Sequence, residues 1–452
     1  MDKRDRRWLF ERAGVPRAVA ELAAPTVLSQ LISLFYNMAD TFFVGRTGSA
    51  EGVAAVSLAA PVMLTLTALA NLFGMGAAAV MARSLGAKDP KKAGHASAFG
   101  FWAALAAGLG CSLLSLLLPG PLLSLLGAEG GLRAVTGDYL ALVFTLGAAP
   151  ALVSSTLAHL LRADGAPRQA SLGLTGGGIL NLILDPLFIF DWGLGLGISG
   201  AAAATLLANV LTMGWFLWVL RRRSRRGETA VSLRPSRAML RREVSLSALG
   251  DGLPGMLQTL LASVSNACLN RLASDGGSQA VAALGIVKKL DTVPMNVTIG
   301  LSQGVLPLLG YSASAGDKGR MRAALRWTLG LSVGVSLLCV GVFELCPGAL
   351  VRLFLDEAAT AALGARFLRV ICLSTPLMAV GFTMITLFQA TGRKKQGVVL
   401  SLCRKGLLDI PLMFLLHALV PVYGLVFVQP ITECAAMAVA LLLYARYLRE
   451  TR

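Results

Sequence analysis

Charge is scarce in this chain. Asp, Glu, Lys and Arg together make up 14% of its 452 residues. An ordinary soluble domain carries roughly one quarter, so the shortfall excludes a soluble globular class. Histidine is rarer still: His95, His159 and His417 stand far apart and form no metal cluster. The seven cysteines (Cys111, Cys268, Cys339, Cys346, Cys372, Cys403 and Cys434) fall within or beside apolar stretches, without C-x-x-C spacing. They read as small packing residues rather than disulfides or metal ligands. No H-E-x-x-H and no phosphate-cradling loop occurs, so a membrane-embedded transferase lacks its nucleophile, acid–base pair or metal set. Neither catalysis nor a resident cofactor is expected.

Apolar residues are abundant instead, at 55% of the chain, with a mean hydropathy of +0.69. Leu58 to Val80, Ala96 to Leu118 and Ala323 to Cys346 are long runs, the last broken only by Arg326 and Glu344. Each is long enough to cross a ~30 Å hydrocarbon layer as helix. The pattern predicts twelve helices near 19–44, 52–82, 95–118, 134–161, 169–190, 197–220, 246–273, 279–310, 323–347, 359–388, 397–419 and 422–448. The charged start runs straight into the first of them, which serves as an uncleaved insertion signal.

A net charge of +17 would fit a nucleic-acid partner if read alone. Its placement excludes that partner. Basic residues gather before the first span (Lys3, Arg4, Arg6, Arg7, Arg12, Arg17) and in alternate loops: Arg83–Lys92, Arg162–Arg168, Arg221–Arg242, Lys318–Arg326, Arg393–Lys395 and Arg446–Arg452. The intervening loops carry Glu51, Glu129, Asp138, Asp191, Asp275, Asp356 and Glu357. This is the positive-inside pattern, which puts both termini in the cytoplasm of a multi-pass plasma-membrane protein. The arginine-rich stretch around Pro235 divides six spans from six, as a basic strip touching anionic lipid. The expected domains are therefore a lobe at 1–220, a cytoplasmic linker at 221–245 and a lobe at 246–452.

The halves repeat each other 227 to 228 positions apart. Val53-Ala-Ala-Val-Ser-Leu58 returns as Val281-Ala-Ala-Leu-Gly-Ile286, Gln30 as Gln258, and Gly86-Ala-Lys-Asp89 as Ser314-Ala-Gly-Asp317. Leu161-Arg-Ala-Asp-Gly165 matches Phe388-Gln-Ala-Thr-Gly392, and Gly197 with Thr205 matches Gly424 with Thr432. Six spans per half is an even number, so both halves share one orientation and a pseudo-two-fold axis along the membrane normal. The expected fold is an all-α integral membrane protein of twelve transmembrane helices in two six-helix lobes. Two such lobes can rock about a shared site, which points to solute transport.

Polar residues inside the spans are the candidate site. Gln30, Ser33, Asn37 and Asp40 are spaced 3, 4 and 3 along the first span, on one helical face. On the fifth, Asn181 and Asp185 are one turn apart, and Pro186 frees the carbonyl of Leu182. Counted from the span ends, Asp40 and Asp185 reach similar depth. Two carboxylates and an amide oxygen make a pocket suited to Na⁺ or to a shared proton, because close carboxylates in low dielectric resist joint ionisation. Thr205 either adds a hydroxyl or bonds its own helix backbone. The second half does not copy these acids: the position matching Asp40 is Cys268. It carries Asp409 with Lys405 one turn before it, and Asp291 with Lys288 three before it, which read as neutralising pairs. Glu433 has no basic neighbour one turn away, with Gln429 and Met437 there instead, and is the better candidate for contacting a cationic substrate. Gln30, Ser33, Tyr36, Asn37, Gln258, Asp409, Gln429 and Glu433 are the candidates for the substrate or the cleft between lobes.

Ala24-Pro-Thr-Val-Leu-Ser-Gln30 with Asn37-Met-Ala-Asp-Thr-Phe-Phe-Val-Gly45 resembles the first span of multidrug and toxic compound extrusion (MATE) transporters. Arg162-Ala-Asp-Gly165, Asn181-Leu-Ile-Leu-Asp-Pro-Leu-Phe-Ile-Phe190 and Gly197-Ile-Ser-Gly-Ala-Ala-Ala-Ala-Thr205 resemble that family's fourth to sixth spans. Gln303-Gly304, Gln389-Ala-Thr-Gly392 and Arg404 to Pro411 resemble its second half, in the style of the bacterial MepA-like branch. The resemblance implies alternating access and export of amphipathic organic cations in exchange for Na⁺ or H⁺. It implies that Asp40, Asn181, Asp185 and Thr205 form the cation site, Na⁺ being bound by Asp40, Asn181 and Asp185. Some branches use an acid on span 7 instead; here Asp251 lies near the start of that span and Gln258, Ser265 and Asn266 further in. A monomer in contact with membrane lipid is expected. The alternative is a flippase for a lipid-linked or amphipathic lipid, which for an anionic headgroup needs arginines clustered inside its cleft; here most arginines fall in the loops.

Overall fold

The computed structural model describes residues 8–47, 49–354 and 357–450. Lys3, Arg4, Arg6, Arg7, Asp356 and Arg452 lie outside the described residues. Among those described, the chain forms twelve helical columns and no strand. They are α1 (Val15–Arg46), α2 (Ala50–Ala70, then a π turn Asn71–Met75, then Gly76–Gly86), α3 (Pro90–Leu117), α4 (Gly131–Leu140, a π turn Ala141–Leu146, then Ala148–Ala163), α5 (Pro167–Ile189) and α6 (Gly197–Arg225). The second set is α7 (Arg242–Ala273), α8 (Gly277–Ser314), α9 (Lys318–Leu345), α10 (Ala358–Cys372, then Thr375–Ala390), α11 (Lys394–Leu402, a π turn Cys403–Leu407, then Asp409–Leu419) and α12 (Tyr423–Glu450).

Seven helices are long and apolar enough to cross a membrane singly, and the two bent columns α4 and α10 raise the number to nine. The other three are α7, α8 and α11. They carry Gln258 and Asn266, Lys288 and Asp291, and Arg404 and Asp409 respectively, so they are more polar, and α11 is also interrupted by its π turn.

The duplication is visible in the backbone. Columns α4 and α10 bend by 46° and 44° at breaks that are equivalent in the repeat. The α3 and α9 ends match too: Leu118 (φ −127°, ψ 49°) and Cys346 (φ −129°, ψ 41°) each turn the chain into a short helix that begins with proline. Asp89 and Asp317 cap the helices that follow them, accepting from the backbone N–H of Lys92 and Arg320 at 2.9 and 2.8 Å. Lys88 holds φ of 60° where its counterpart Gly316 holds 79°, a conformation that costs a lysine more than a glycine.

The halves meet at the end of the bundle that carries the basic loops. There one continuous apolar core draws on both, from Leu22 and Met81 to Leu308, Leu325 and Phe388. Toward the opposite end it divides in two, one cluster around Phe144 and Leu152 and another around Phe367 and Leu368. The lobes are thus closed at the basic end and separated at the other. Helix α1 runs along α8, and α2 along α7.

Two glycines make that closure possible. A Cβ on Gly252 of α7 would sit 1.8 Å from the Leu72 carbonyl oxygen, and one on Gly76 of α2 1.9 Å from that of Ala248. Only backbone fits between these helices. Beside them Arg83 of α2 forms an ion pair with fully buried Asp251 of α7. It also donates to the carbonyls of Gln389 (2.9 Å) and Ala390 (3.3 Å) of α10. Near the chain start, Tyr311 donates to Glu11 at 2.5 Å and stacks on Phe10.

Gly252→Val should force the lobes apart at this end. A Cβ on Gly310 would lie 3.3 Å from that of Ala82, a few tenths of an ångström short of the ~3.5–4.5 Å that a disulfide spans, which a small shift supplies. A Cys pair replacing Ala82 and Gly310 should therefore cross-link readily in the parent and several-fold less with Gly252→Val; equal cross-linking in both would count against the closed seam.

Candidate functional site

Helices α1 and α5 lie side by side, because α5 has glycine where α1 presents an aromatic ring. A Cβ on Gly178 would fall 2.8 Å from Tyr36. From that contact Asp40 is four residues onward and Asp185 seven, rises of roughly 6 and 10 Å along parallel helices. The Asp40 charge is felt at Asp185, and Tyr36 and Tyr139 lie within the field of both.

Asn181 joins this pair to its surroundings. Its amide donates to Asp185 Oδ1 at 3.1 Å and to Thr205 Oγ1 at 3.3 Å. Asp185 is fully buried and Asp40 half-buried. Asp40 Oδ1 and Asp185 Oδ2 are buried oxygens with no hydrogen-bond partner. A carboxylate oxygen left bare in an apolar bundle is costly, and a small cation or a proton at either would offset that cost. Tyr139, on α4, was not singled out from the sequence; its short distance from the span end makes it look interfacial there.

Asn181 and Thr205 also line a cavity of about 400 Å³ within the first lobe, closed on one side by Thr259, Ile299 and Gln303 of the second. Gln30, Ser33 and Tyr36 line it from α1, with Asn71, Asn209 and Gln303 from other helices. Asn37 does not. It is exposed, and its amide donates to the Ser33 carbonyl at 2.7 Å. A second cavity, of about 280 Å³, adjoins on the α7 side and is lined by Gln258, Asn266, Phe382 and Gln389 among others.

The MatE family model matches residues 25–187 and again 254–415, once in each lobe. The chain belongs to the MatE family. It is 30% identical over 444 residues to the multidrug export protein MepA of Staphylococcus aureus, covering 98% of this chain and 96% of that one. The MepA of Staphylococcus saprophyticus is 28% identical over 443 residues, with the same coverage. Among solved structures, an outward-facing conformation of a multidrug resistance MATE transporter superposes with a TM-score of 0.89 at 24% identity, covering 97% of each chain. A MATE crystallised with MaL6 gives 0.90 at 23% identity, covering 98% of each. The likeness to these structures shows the two-lobed MatE fold, and the apolar helices make the chain a multi-pass membrane protein.

Within that MatE fold, the second lobe corrects the reading of its acids. Glu433 lacks a basic neighbour on its own helix, yet Arg404 of α11 meets it with Nε 2.9 and 2.7 Å from its two oxygens. Both side chains are 1% exposed. The guanidinium also lies 4.1 Å from the Phe382 ring centre. No open carboxylate is left at Glu433 for a cationic substrate. Lys405 and Asp409 do pair, at 3.6 Å, and Ser265 donates to Asp409 as well. Lys288 and Asp291 are joined indirectly: Lys288 donates to Gln429, whose amide donates to Asp291 at 2.8 Å and to Ser374 at 2.9 Å. Asp409, Gln429 and Glu433 line neither cavity. Asp251, near the start of span 7, is held by Arg83.

Removing one member of a buried pair leaves an uncompensated charge, so Glu433→Gln should cost about 3–5 kcal/mol of stability. Thermal unfolding in detergent should show this as a lowered midpoint, largely restored when Arg404→Met is combined with Glu433→Leu. An unchanged midpoint for the single variant would show that the pair contributes nothing.

Proposed function

We propose that the protein is a secondary active antiporter of the plasma membrane, exporting amphipathic organic cations in exchange for Na⁺ or H⁺. The observation that carries this reading is the pair of buried, unpartnered oxygens on Asp40 and Asp185, beside Asn181 and Thr205 in the first lobe. The MatE relatives named as multidrug exporters support the same reading. With the basic loops and both termini in the cytoplasm, the seam through Gly252 and Arg83 closes the inner side and the cleft opens outward.

The cycle follows from differential affinity. An ion arriving from outside completes the Asp40–Asp185 pocket and compensates its charge. Because Asn181 and Thr205 belong both to that pocket and to the cavity wall, filling the pocket alters the surface offered to a substrate. Ion and substrate then favour different arrangements of the lobes, and that difference is the coupling free energy. The cation is cargo, not a resident cofactor.

Reconstituted in vesicles, the parent should export a fluorescent organic cation faster under an inward Na⁺ gradient or an inward pH gradient, applied separately. Asp185→Asn removes a charge at nearly constant volume and should cut the gradient-dependent rate at least tenfold, to that of protein-free vesicles. Parental rates in the variant under both gradients would overturn the assignment.

A further inference from the structure

Arg162 ends α4 in the last turn of Ala148–Ala163. From the sequence it counts among the loop arginines. The structure turns it inward: the residue is 4% exposed and lines the 400 Å³ cavity of the first lobe. Among the described residues no carboxylate pairs with it. Asp164, two residues on, faces elsewhere, accepting from Arg223 at 3.1 Å and from the Ala230 backbone N–H at 2.9 Å. The Nε of Arg162 has no hydrogen-bond partner, and its Nη1 has only His159 Nδ1, at 3.5 Å. A guanidinium offers five donors, so most are uncommitted.

The remaining cavity wall sharpens the contrast. Its described lining, like that of the adjoining 280 Å³ cavity, includes no Asp or Glu. Asp40 and Asp185 stand behind Asn181 and Thr205. Ser154, Ser155, Gln30 and Gln303 supply neutral hydrogen-bonding groups to the same wall. Gly74 leaves room for the imidazole, since a Cβ there would fall 2.8 Å from His159. Other arginines turned into the bundle have partners: Arg404 has Glu433, Arg223 has Asp164 and Arg83 has Asp251. A buried cation without a counter-charge is costly unless a ligand supplies one.

We propose that Arg162, assisted by His159, is an anion-binding subsite at the inner end of the cavity, which takes the carboxylate of an amphipathic solute. The apolar body of the solute lies along the cavity, and any cationic group it carries points toward the end nearer Asp185. This deepens the transport reading, on which it rests for the direction of movement, by naming the residues that would hold the carboxylate of a solute. It also places at the inner end the group that a molecule entering from the cytoplasm meets first.

The test compares rhodamine B, which carries a free carboxylate, with its ethyl ester, which is cationic only. Binding to the detergent-purified full chain is followed by fluorescence anisotropy. The parent should bind rhodamine B at least tenfold more tightly than the ester. Arg162→Gln should erase that difference while changing affinity for the ester less than threefold, and Arg162→Lys should keep part of it. No preference in the parent, or an equal preference in Arg162→Gln, would overturn the subsite; should Arg162→Gln fail to fold, the parent's selectivity decides alone. Phosphatidylglycerol in the micelles, compared with phosphatidylcholine, separates the sources of the anion: displacement of rhodamine B by phosphatidylglycerol would overturn the soluble ligand in favour of a lipid headgroup, and its absence supports the solute. Because binding in detergent needs no gradient, selectivity without gradient-driven efflux would sink the antiport reading and leave this one standing.

Discussion

A charge inside an apolar bundle must find an opposite charge, a set of polar partners or a ligand, and that requirement organises this molecule. The second lobe meets it internally. Arg404 takes Glu433, Lys405 takes Asp409, and Gln429 bridges Lys288 and Asp291. The seam between lobes meets it through Arg83 and Asp251. The first lobe leaves it unmet twice: among the described residues no basic side chain pairs with Asp40 or Asp185 on one side, and no carboxylate pairs with Arg162 on the other. Duplication supplied similar backbones, and the placement of charge made them unlike.

The apolar packing serves this arrangement. A single core at the basic end fixes the lobes to each other, and its division toward the far end gives the cleft its walls. Glycine sets how closely α2 and α7 approach, since no side chain fits between their backbones at Gly76 and Gly252. The cavity stays polar through neutral groups such as Gln30, Asn71, Asn209 and Gln303. These cost less to bury than charges.

Much of the architecture was legible in the sequence, because hydrophobic length and loop charge are local signals. The repeat offset matched Gly86–Asp89 to Ser314–Asp317, and the backbone turns alike there, at Lys88 and Gly316. The nearness of Asn181 and Asp185 followed from helical spacing alone. What stayed hidden depended on contacts between distant segments. Glu433 looked unpaired because its partner lies 29 positions away on another helix. Arg162 looked like a loop residue because it ends a span, and no pattern in one dimension tells an arginine facing solvent from one folded into a cavity. Asn37 had the right spacing for the stripe, but a helical face spans a wide arc, and its side chain turned to its own backbone.

The matched charges of the second lobe also bear on electrical work. Lys288, Arg404 and Lys405 stand against Asp291, Asp409 and Glu433, so the formal charge of that cluster sums to zero. Moving a neutral cluster through a transmembrane voltage requires no electrical energy, whereas each unbalanced elementary charge is worth about 2.3 kcal/mol per 100 mV. Through this cluster the second lobe is a passive wall to the membrane potential. Any response of the second lobe to voltage then comes from charges outside this cluster, such as Lys289 on the same helix as Lys288.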